Sequence, residues 1–193
     1  IILMGMGEPL ANYEAVLKAV RVINHDQGLN IGSRRITLST CGLVPEIKRL
    51  AGEGLQLTLA VSLHAPEDKL RSQLMPINDK YPLADLLAAC DLYSRQTGRR
   101  VSFEYSLLSG FNDSRKRARQ LAELLAGRLT HVNLIPVNTV PGVGYDSPNQ
   151  KTIQQFKQEL QARDIPVTVR ANRGTDIKAA CGQLDRIKRA GGN

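Results

Sequence analysis

Two glycines and a carboxylate directly follow the first apolar run of the chain. Residues Ile1–Met4 are succeeded by Gly5, Met6, Gly7 and Glu8. Glycines let a backbone approach a ligand closely, and the Glu8 carboxylate can pair with a ligand ammonium group. The same spacing also fits an ordinary strand-to-helix turn with Glu8 near a helix N-terminus. Both interpretations stay open, but a dinucleotide fingerprint is excluded because G-x-G-x-x-G is absent.

Hydroxyl and imidazole groups occur at the ends of two further apolar runs. Ser39 precedes Thr-Cys-Gly, and Ser62 is followed by Leu63 and His64. A Ser/His pair invites a hydrolase interpretation, but the chain has no G-x-S-x-G elbow and no evident acidic partner. The pattern therefore favours polar contacts to a bound cofactor over a nucleophile, with ordinary turn residues as the alternative.

The three cysteines differ in their surroundings. Small neighbours flank Cys181, and Lys178 and Arg173 lie close in sequence, which favours an accessible thiolate. A small core cysteine is the alternative for Cys181. Cys90 falls on the apolar stripe of a predicted helix and is expected in the core, whereas Cys41 is ambiguous. The cysteines are too far apart for a disulfide scaffold or a zinc site, so reduced thiols and a cytoplasmic location are expected.

Strand-like runs alternate with helical patterns, which predicts βαβ units, a parallel sheet and a single α/β domain over residues 1–193. Such a sheet binds ligands at the carboxyl ends of its strands, where the polar residues above occur. Six strands fit a partial barrel or an open doubly wound sheet. We predict strands at Ile1–Met4, Arg35–Thr40, Leu57–Leu63, Val101–Ser106, His131–Pro136 and Ile165–Arg170, and apolar helical stripes within 10–23, 83–93, 118–125 and 153–160, with a shorter helix at Pro45–Gly52.

Composition narrows the function classes. The 193 residues are 42% hydrophobic and 23% charged, and no apolar run approaches the length of a membrane span. The net charge of +8 favours a polyanionic partner, nucleic acid first. A basic run opening with Arg115-Lys116-Arg117 is either a solvated face or a contact for RNA phosphates. Five Tyr, three Phe and no Trp make a base-stacking platform unattractive.

Five motifs occur in the order seen in one known family. They are MGMGEPLANY, STCGLVP, AVSLHAP, NLIPVN and VRANRGTDIKAACGQL. In this order they resemble the radical S-adenosylmethionine (SAM) RNA methyltransferases, and within them the 23S rRNA/tRNA adenine-C2 methyltransferases. The match runs to about Leu184. The related adenine-C8 enzymes of antibiotic resistance share much of the pattern and remain the nearest alternative.

The resemblance implies a role for each matched residue. Gly7 and Glu8 would hold the amino group of the SAM methionine moiety. The remaining SAM contacts would come from Ser39, Ser62, Leu63, His64 and Asn138. Cys181 would be the catalytic cysteine that carries the methyl group, and no metal ligand is expected in this chain.

The resemblance also implies a mechanism and partners. Cys181 would take a methyl group from one SAM, and a 5′-deoxyadenosyl radical from a second SAM would activate it for addition to adenine. C2 of adenine is not nucleophilic, so a cysteine carrier gives the transfer a route that direct polar transfer lacks. The implied substrate is 23S rRNA, with tRNA open as a second one, and an electron donor would reduce the cluster.

One feature of the family is missing. The CxxxCxxC motif that binds its 4Fe–4S cluster does not occur in this chain, and Cys41, Cys90 and Cys181 cannot replace it. We therefore expect the carboxyl-terminal portion of a longer enzyme that lacks the first barrel strand and the cluster loop, inactive in isolation. Two other hypotheses are a non-catalytic SAM- or RNA-binding remnant and an unrelated barrel enzyme. The latter is disfavoured because no lysine stands at a predicted strand end.

Overall fold

Six parallel strands form one sheet whose spatial order follows the chain. The computed structural model describes residues 1–138 and 145–170. Strands are paired β1 to β6 in sequence order, and every neighbouring pair is parallel. The strands are β1 Ile2–Leu3, β2 Thr37–Thr40, β3 Thr58–Ser62, β4 Val101–Leu107, β5 Thr130–Pro136 and β6 Val167–Val169.

Helices connect successive strands, as parallel pairing requires. They are α1 Tyr13–Asn24, α2 Val44–Ala51, α3 Asp68–Leu74, α4 Leu83–Thr97, α5 Arg115–Leu125 and α6 Gln150–Gln161, with 3₁₀ turns at Pro9–Asn12, Ser33–Arg35 and Pro76–Asp79. Helix α5 begins at Ser114, whose hydroxyl accepts a hydrogen bond from the Arg117 N–H at 3.3 Å. Helix α4 ends at Gly98 in the left-handed conformation.

The strand order decides between the two predicted architectures. A doubly wound sheet reverses its strand order at a switch point. Here each crossover moves one strand in the same direction, and right-handed crossovers then bring all the helices to one face. A sheet covered on one face only curls around the other, so the partial barrel is confirmed and the doubly wound alternative is wrong.

Side-chain alternation separates an apolar outer face from a polar inner face. On β4 the residues Val101, Phe103 and Tyr105 are buried towards the helices. The residues between them are Ser102 and Glu104, and a one-residue slip in register would exchange the two sets. The apolar set packs with the helix stripes into one continuous core that runs from α1 to α6.

The predicted helical stripes are confirmed, but α3 is missed. All four stripes and the short Pro45–Gly52 segment correspond to helices α1, α2, α4, α5 and α6. Helix α3 has only seven residues and buries Arg71 together with Leu70, so it carries no apolar period. Within 1–138 and 145–170, no helix combines the length and apolarity needed to cross a bilayer.

The Tyr93 hydroxyl provides a test of this packing. Tyr93 of α4 is fully buried and donates a hydrogen bond to the Leu57 carbonyl at 2.8 Å. Tyr93→Phe leaves this carbonyl without its donor, so we expect the free energy of unfolding to fall by about 1–3 kcal/mol. Urea denaturation measures the change, with Tyr81→Phe at a half-buried position as the control. An equal decrease in the free energy of unfolding for the two variants would contradict a stabilising role of the Tyr93 hydrogen bond.

Candidate functional site

The predicted site residues gather at the carboxyl ends of the strands. Gly7 and Glu8 follow β1, Ser62 ends β3 and is followed by His64, and Asn138 follows β5. Because all six strands are parallel, these segments lie on one rim of the sheet. Ser39 lies within β2 on the inner face, and its register partner is Ala60. The structure does not describe residues 171–193, so Cys181 falls outside it.

Glu8 connects the first two strand ends. Its Oε1 accepts a hydrogen bond from the Leu10 N–H at 2.9 Å, and its Oε2 accepts one from the Cys41 N–H at 2.6 Å. The turn that presents it needs glycine at position 7, where φ is 109°. Glu8 thus has the capping role that the sequence left open. Each oxygen keeps a second acceptor site, so an ammonium contact remains compatible with this geometry.

Arg71 connects the second and third strand ends, and sequence reasoning missed it. Its side chain is completely buried. The guanidinium donates to the Cys41 carbonyl at 2.7 Å, the Ser62 carbonyl at 3.0 Å, the Leu63 carbonyl at 3.2 Å and Asn78 Oδ1 at 3.0 Å. No carboxylate of the described residues forms an ion pair with it, so burial lowers its pKa.

Gly42 leaves room for this guanidinium. A Cβ built on Gly42 would lie 3.3 Å from an Arg71 terminal nitrogen and 3.1 Å from a Leu86 methyl carbon. The φ of Gly42 is also positive, at 112°. The glycine of the STCG motif therefore permits both the turn after β2 and the close approach of Arg71.

Asn112 and His64 connect the third and fourth strand ends. Asn112 is buried, and its Nδ2 donates to the carbonyls of His64 at 2.9 Å and Ser106 at 2.7 Å. The Nδ1 of His64 accepts a hydrogen bond from the Ser106 N–H at 3.0 Å, which leaves the proton on Nε2. Burial lowers the pKa of His64 to about 4, so the ring is neutral at physiological pH.

This arrangement argues against a Ser62/His64 hydrolase. A general base must accept a proton through a free ring nitrogen, but Nδ1 is occupied by a backbone donor and Nε2 already carries hydrogen. What His64 offers a ligand is one N–H donor. The Leu63 side chain is fully buried in the core, so its contribution to any ligand contact must come from the backbone.

Three of the predicted residues keep unused polar atoms. Asn138 Oδ1 is buried and has no hydrogen-bond partner in the described part of the chain. Within the same residues, the hydroxyls of Ser39 and Ser62 make no side-chain hydrogen bond. A buried acceptor without a donor costs about 1–3 kcal/mol, so Asn138 is where a ligand donor would be most favourable. An open groove of about 420 Å³ borders the turn after β1 and is lined by Ile2–Pro9, Asn12 and Val16.

The two described cysteines do not form a metal site. Cys90 is buried in α4, which confirms the core prediction. Cys41 is half-buried, and desolvation together with the adjacent Glu8 carboxylate raises the pKa of its thiol to about 12. Within residues 1–138 and 145–170, no cluster of three or more His, Cys, Asp or Glu side chains is placed to hold a metal. The residues present therefore do not fit a 4Fe–4S cluster, and we derive no step through one.

Two carboxylates pair with three of the four basic side chains at the start of α5. Arg115 and Arg119 both pair with Glu159 of α6, and Arg117 pairs with Glu67 at 2.6 Å. These pairs are at least partly exposed and contribute little to stability. The run thus fits the solvated-face interpretation better than a preformed phosphate contact.

Comparison with known proteins identifies the family. A family model described as the Radical SAM superfamily matches residues 1–122. The chain belongs to the radical SAM superfamily. This confirms the family resemblance, and it implies SAM as a ligand together with a 4Fe–4S cluster whose ligands are not among the described residues.

Individual relatives point to one branch of the superfamily. The chain is 57% identical over 189 residues to a protein of Desulforudis audaxviator named "probable dual-specificity RNA methyltransferase RlmN", covering 98% of this chain and 59% of that protein. A Thermoanaerobacter protein of the same name is 52% identical, with 96% of this chain and 54% of the relative covered. The chain thus spans little more than half the length of the curated relatives it matches.

Solved structures agree with the fold. A radical SAM methyltransferase from Sphaerobacter thermophilus has a TM-score of 0.90 and 56% identity, covering 95% of this chain and 54% of that one. Streptococcus suis SuiB, solved with S-adenosylmethionine bound, has a TM-score of 0.63 at 12% identity, covering 86% of this chain and 38% of that one. The second likeness concerns the fold alone.

The rim presents several polar groups to a ligand. They are the Glu8 carboxylate, the His64 Nε2–H, two serine hydroxyls and the Asn138 oxygen, which has no partner among the described residues.

Replacing Arg71 tests the connection between the second and third strand ends. Arg71→Lys keeps the positive charge, but a single ammonium group cannot donate to all four acceptors that the planar guanidinium reaches. We expect the free energy of unfolding to fall by about 3 kcal/mol, since buried acceptors lose their donors. Chemical denaturation measures this, with the exposed Arg95→Lys as the control. A loss below about 0.5 kcal/mol would contradict the role of the guanidinium.

His64 predicts a pH dependence of stability. Because its folded pKa lies near 4 and its unfolded value near 6.5, the unfolded chain binds the extra proton between these values. His64 therefore favours folding less as the pH falls through this window. His64→Asn keeps an acceptor for Ser106 N–H and tolerates the positive φ of 57°, so its stability should fall less between pH 6.5 and 4. Denaturation across this range measures the difference, and parallel curves would refute it; His25→Asn, at an exposed site, is the control.

Proposed function

We propose that this chain provides the SAM-binding rim and the methyl-carrying cysteine of a radical SAM RNA methyltransferase that acts on C2 of adenine. The 57% identity over 98% of this chain to a relative named as an RNA methyltransferase is the observation that supports this most strongly. The rim geometry also supports it, because Asn138, whose Oδ1 is buried without a partner in the described residues, is one of the residues that the family motifs assign to SAM.

Each rim residue has a proposed contact. The Glu8 carboxylate accepts hydrogen bonds from the SAM ammonium while its other acceptor positions hold the backbone turn. Ser39 and Ser62 offer hydroxyls, His64 donates through Nε2–H, and Asn138 Oδ1 accepts. Gly7 contributes its backbone, since no atom of the described residues beyond its two chain neighbours would lie within 4 Å of a Cβ built there.

Cys181 is proposed to accept the methyl group. SAM would supply the methyl group. The radical chemistry would require a 4Fe–4S cluster, whose ligands are not among the described residues. A thiolate sulfur is a good nucleophile for a methyl group bound to a sulfonium, and Lys178 and Arg173 favour the thiolate electrostatically. Two steps through a sulfur carrier avoid a direct attack by adenine C2, which is not nucleophilic.

The proposed substrates are 23S rRNA and tRNA, in line with the dual-specificity names of the relatives. An electron donor for the cluster is the third proposed partner. An enzyme acting on these RNAs belongs in the cytoplasm.

Modified adenosines in cellular RNA test this function. Deleting the gene should remove 2-methyladenosine from 23S rRNA while other methylated nucleosides stay constant. Mass spectrometry of digested rRNA and tRNA measures 2-methyladenosine and 8-methyladenosine. Loss of 8-methyladenosine instead would identify the C8 alternative, and unchanged 2-methyladenosine would reject the proposal.

Replacing Cys181 tests the carrier separately. Cys181→Ala removes the sulfur that would hold the methyl group, so we expect methylation to become undetectable in cells expressing only this variant. SAM affinity of the purified protein should change less than about threefold, because the rim contacts remain. Cys90→Ala, in the core of α4, is the matched control and should retain methylation. Residual methylation by the Cys181 variant would exclude this cysteine as the carrier.

A further inference from the structure

A ring of five polar side chains lies on the inner face of the sheet. Ser102 Oγ and Asn133 Nδ2 donate to opposite oxygens of Glu104, at 3.2 and 2.7 Å. Thr168 Oγ1 donates to Asn133 Oδ1 at 3.0 Å and lies 3.2 Å from His131 Nε2. His131 Nδ1 lies 3.3 Å from Ser102 Oγ, so the five side chains form a ring of neighbours across β4, β5 and β6. Burial lowers the pKa of His131, and the neutral imidazole donates to only one of the two hydroxyls. No motif in the sequence indicates it, because its members come from three strands.

The ring holds one buried negative charge. Glu104 is only 8% exposed, and both of its oxygens accept hydrogen bonds, an arrangement that suits the ionised carboxylate. Burial raises its pKa, while the bonds from Asn133 and Ser102 and the charge of Arg170 oppose that shift. Arg170 is exposed and forms no ion pair with Glu104, so water screens its charge.

This charge lies next to the proposed SAM contacts. Glu104 is the register partner of Ser62, and neighbouring strands are about 4.8 Å apart. The Glu104 carbonyl accepts hydrogen bonds from the backbone N–H groups of Leu63 at 3.0 Å and His64 at 3.3 Å. The other buried charge at this rim, Arg71, already donates to four acceptors. The Glu104 carboxylate thus faces the inner side of the sheet, largely buried and with a protein donor on each oxygen.

We propose that Glu104 is a specificity-determining residue that makes the rim prefer the cationic sulfonium of SAM to the neutral thioether of S-adenosylhomocysteine. The inference rests on the proposed function and states how the site distinguishes SAM from S-adenosylhomocysteine, the product of methyl transfer. The two compounds share every polar group of the rim's ligand and differ by one methyl group and one positive charge. A buried carboxylate acts on that charge with little screening, whereas the neutral compound gains nothing from it.

Glu104→Gln is the decisive substitution. The glutamine keeps the size of the side chain. Asn133 can donate to the glutamine oxygen in its present orientation or, after its amide flips, accept from the glutamine nitrogen, so the ring can re-form. Glu123→Gln, on the exposed outer side of α5, removes the same charge as the matched control. Both variants are made in the protein as expressed from its own gene, and calorimetry without reductant measures the dissociation constants of SAM and S-adenosylhomocysteine.

The expected result is a change in selectivity rather than in overall binding. The ratio of the two dissociation constants should shift about tenfold towards S-adenosylhomocysteine in Glu104→Gln and stay within twofold in Glu123→Gln. Affinity for S-adenosylhomocysteine should hardly change. An unchanged ratio in Glu104→Gln, with intact SAM binding, would overturn the inference and leave the proposed function standing. Failure of the unsubstituted protein to bind SAM would instead reject the proposed function.

A measurement on the unsubstituted protein covers the case in which Glu104→Gln does not fold. Sinefungin replaces the methyl sulfonium by a carbon bearing an ammonium group, so it keeps a cation but lacks the S-methyl group. We expect it to bind more tightly than S-adenosylhomocysteine, because the charge and not the methyl group is recognised. Weaker or equal binding of sinefungin would overturn the inference.

Discussion

A single buried guanidinium holds the rim of this sheet together. Arg71 is removed from water without a carboxylate partner in the described residues, and such burial of a charge is costly unless hydrogen bonds replace its hydration. Four acceptors do so, and three of them are carbonyls at two different strand ends. If either strand end moved, a buried N–H of Arg71 would lose its acceptor. With Glu8 on one side and Asn112 on the other, side chains join four consecutive strand ends in series.

The sheet order explains why the rim needs such connections. The helices within residues 1–138 and 145–170 cover the outer face, so in this part of the chain the strand ends after β1 to β4 lack the second helical layer of a doubly wound fold. The last register pair of β3 with β4 is Ser62 with Glu104, the N–H groups of Leu63 and His64 still donate to the Glu104 carbonyl, and the chain then turns at His64 with a positive φ. Hydrogen bonds from side chains to backbone atoms replace the missing ladder at this height. The rim is therefore shaped before any ligand arrives, which reduces the ordering cost of binding.

Sequence periodicity predicted the parts of this molecule that repeat, and it missed the parts that depend on contacts between strands. The stripes of α1, α4, α5 and α6 follow a helical period, and Cys90 fell on one of them, so both predictions were confirmed. Arg71 was not singled out, since nothing in the sequence of a seven-residue helix indicates that its charge will be buried. The Glu104 ring depends on the register of three strands, which the local pattern does not encode. The strand-end residues were predictable because parallel sheets bring such ends together.

Hydrogen-bond satisfaction separates the two kinds of polar residue at the rim. Most of the N–H donors of Arg71 and Asn112 bind backbone carbonyls, so few of them are left for a ligand. Asn138 has a buried acceptor without a donor in the described residues, and burying it raises the free energy of the folded state. A polar group that the fold leaves unsatisfied is stabilised only by something that binds there. The resemblance implies a SAM contact for Asn138 and none for Arg71, so for these two residues it agrees with the hydrogen-bond pattern. The Nε of Arg99 is also buried without a partner in the described residues, and no motif concerns it.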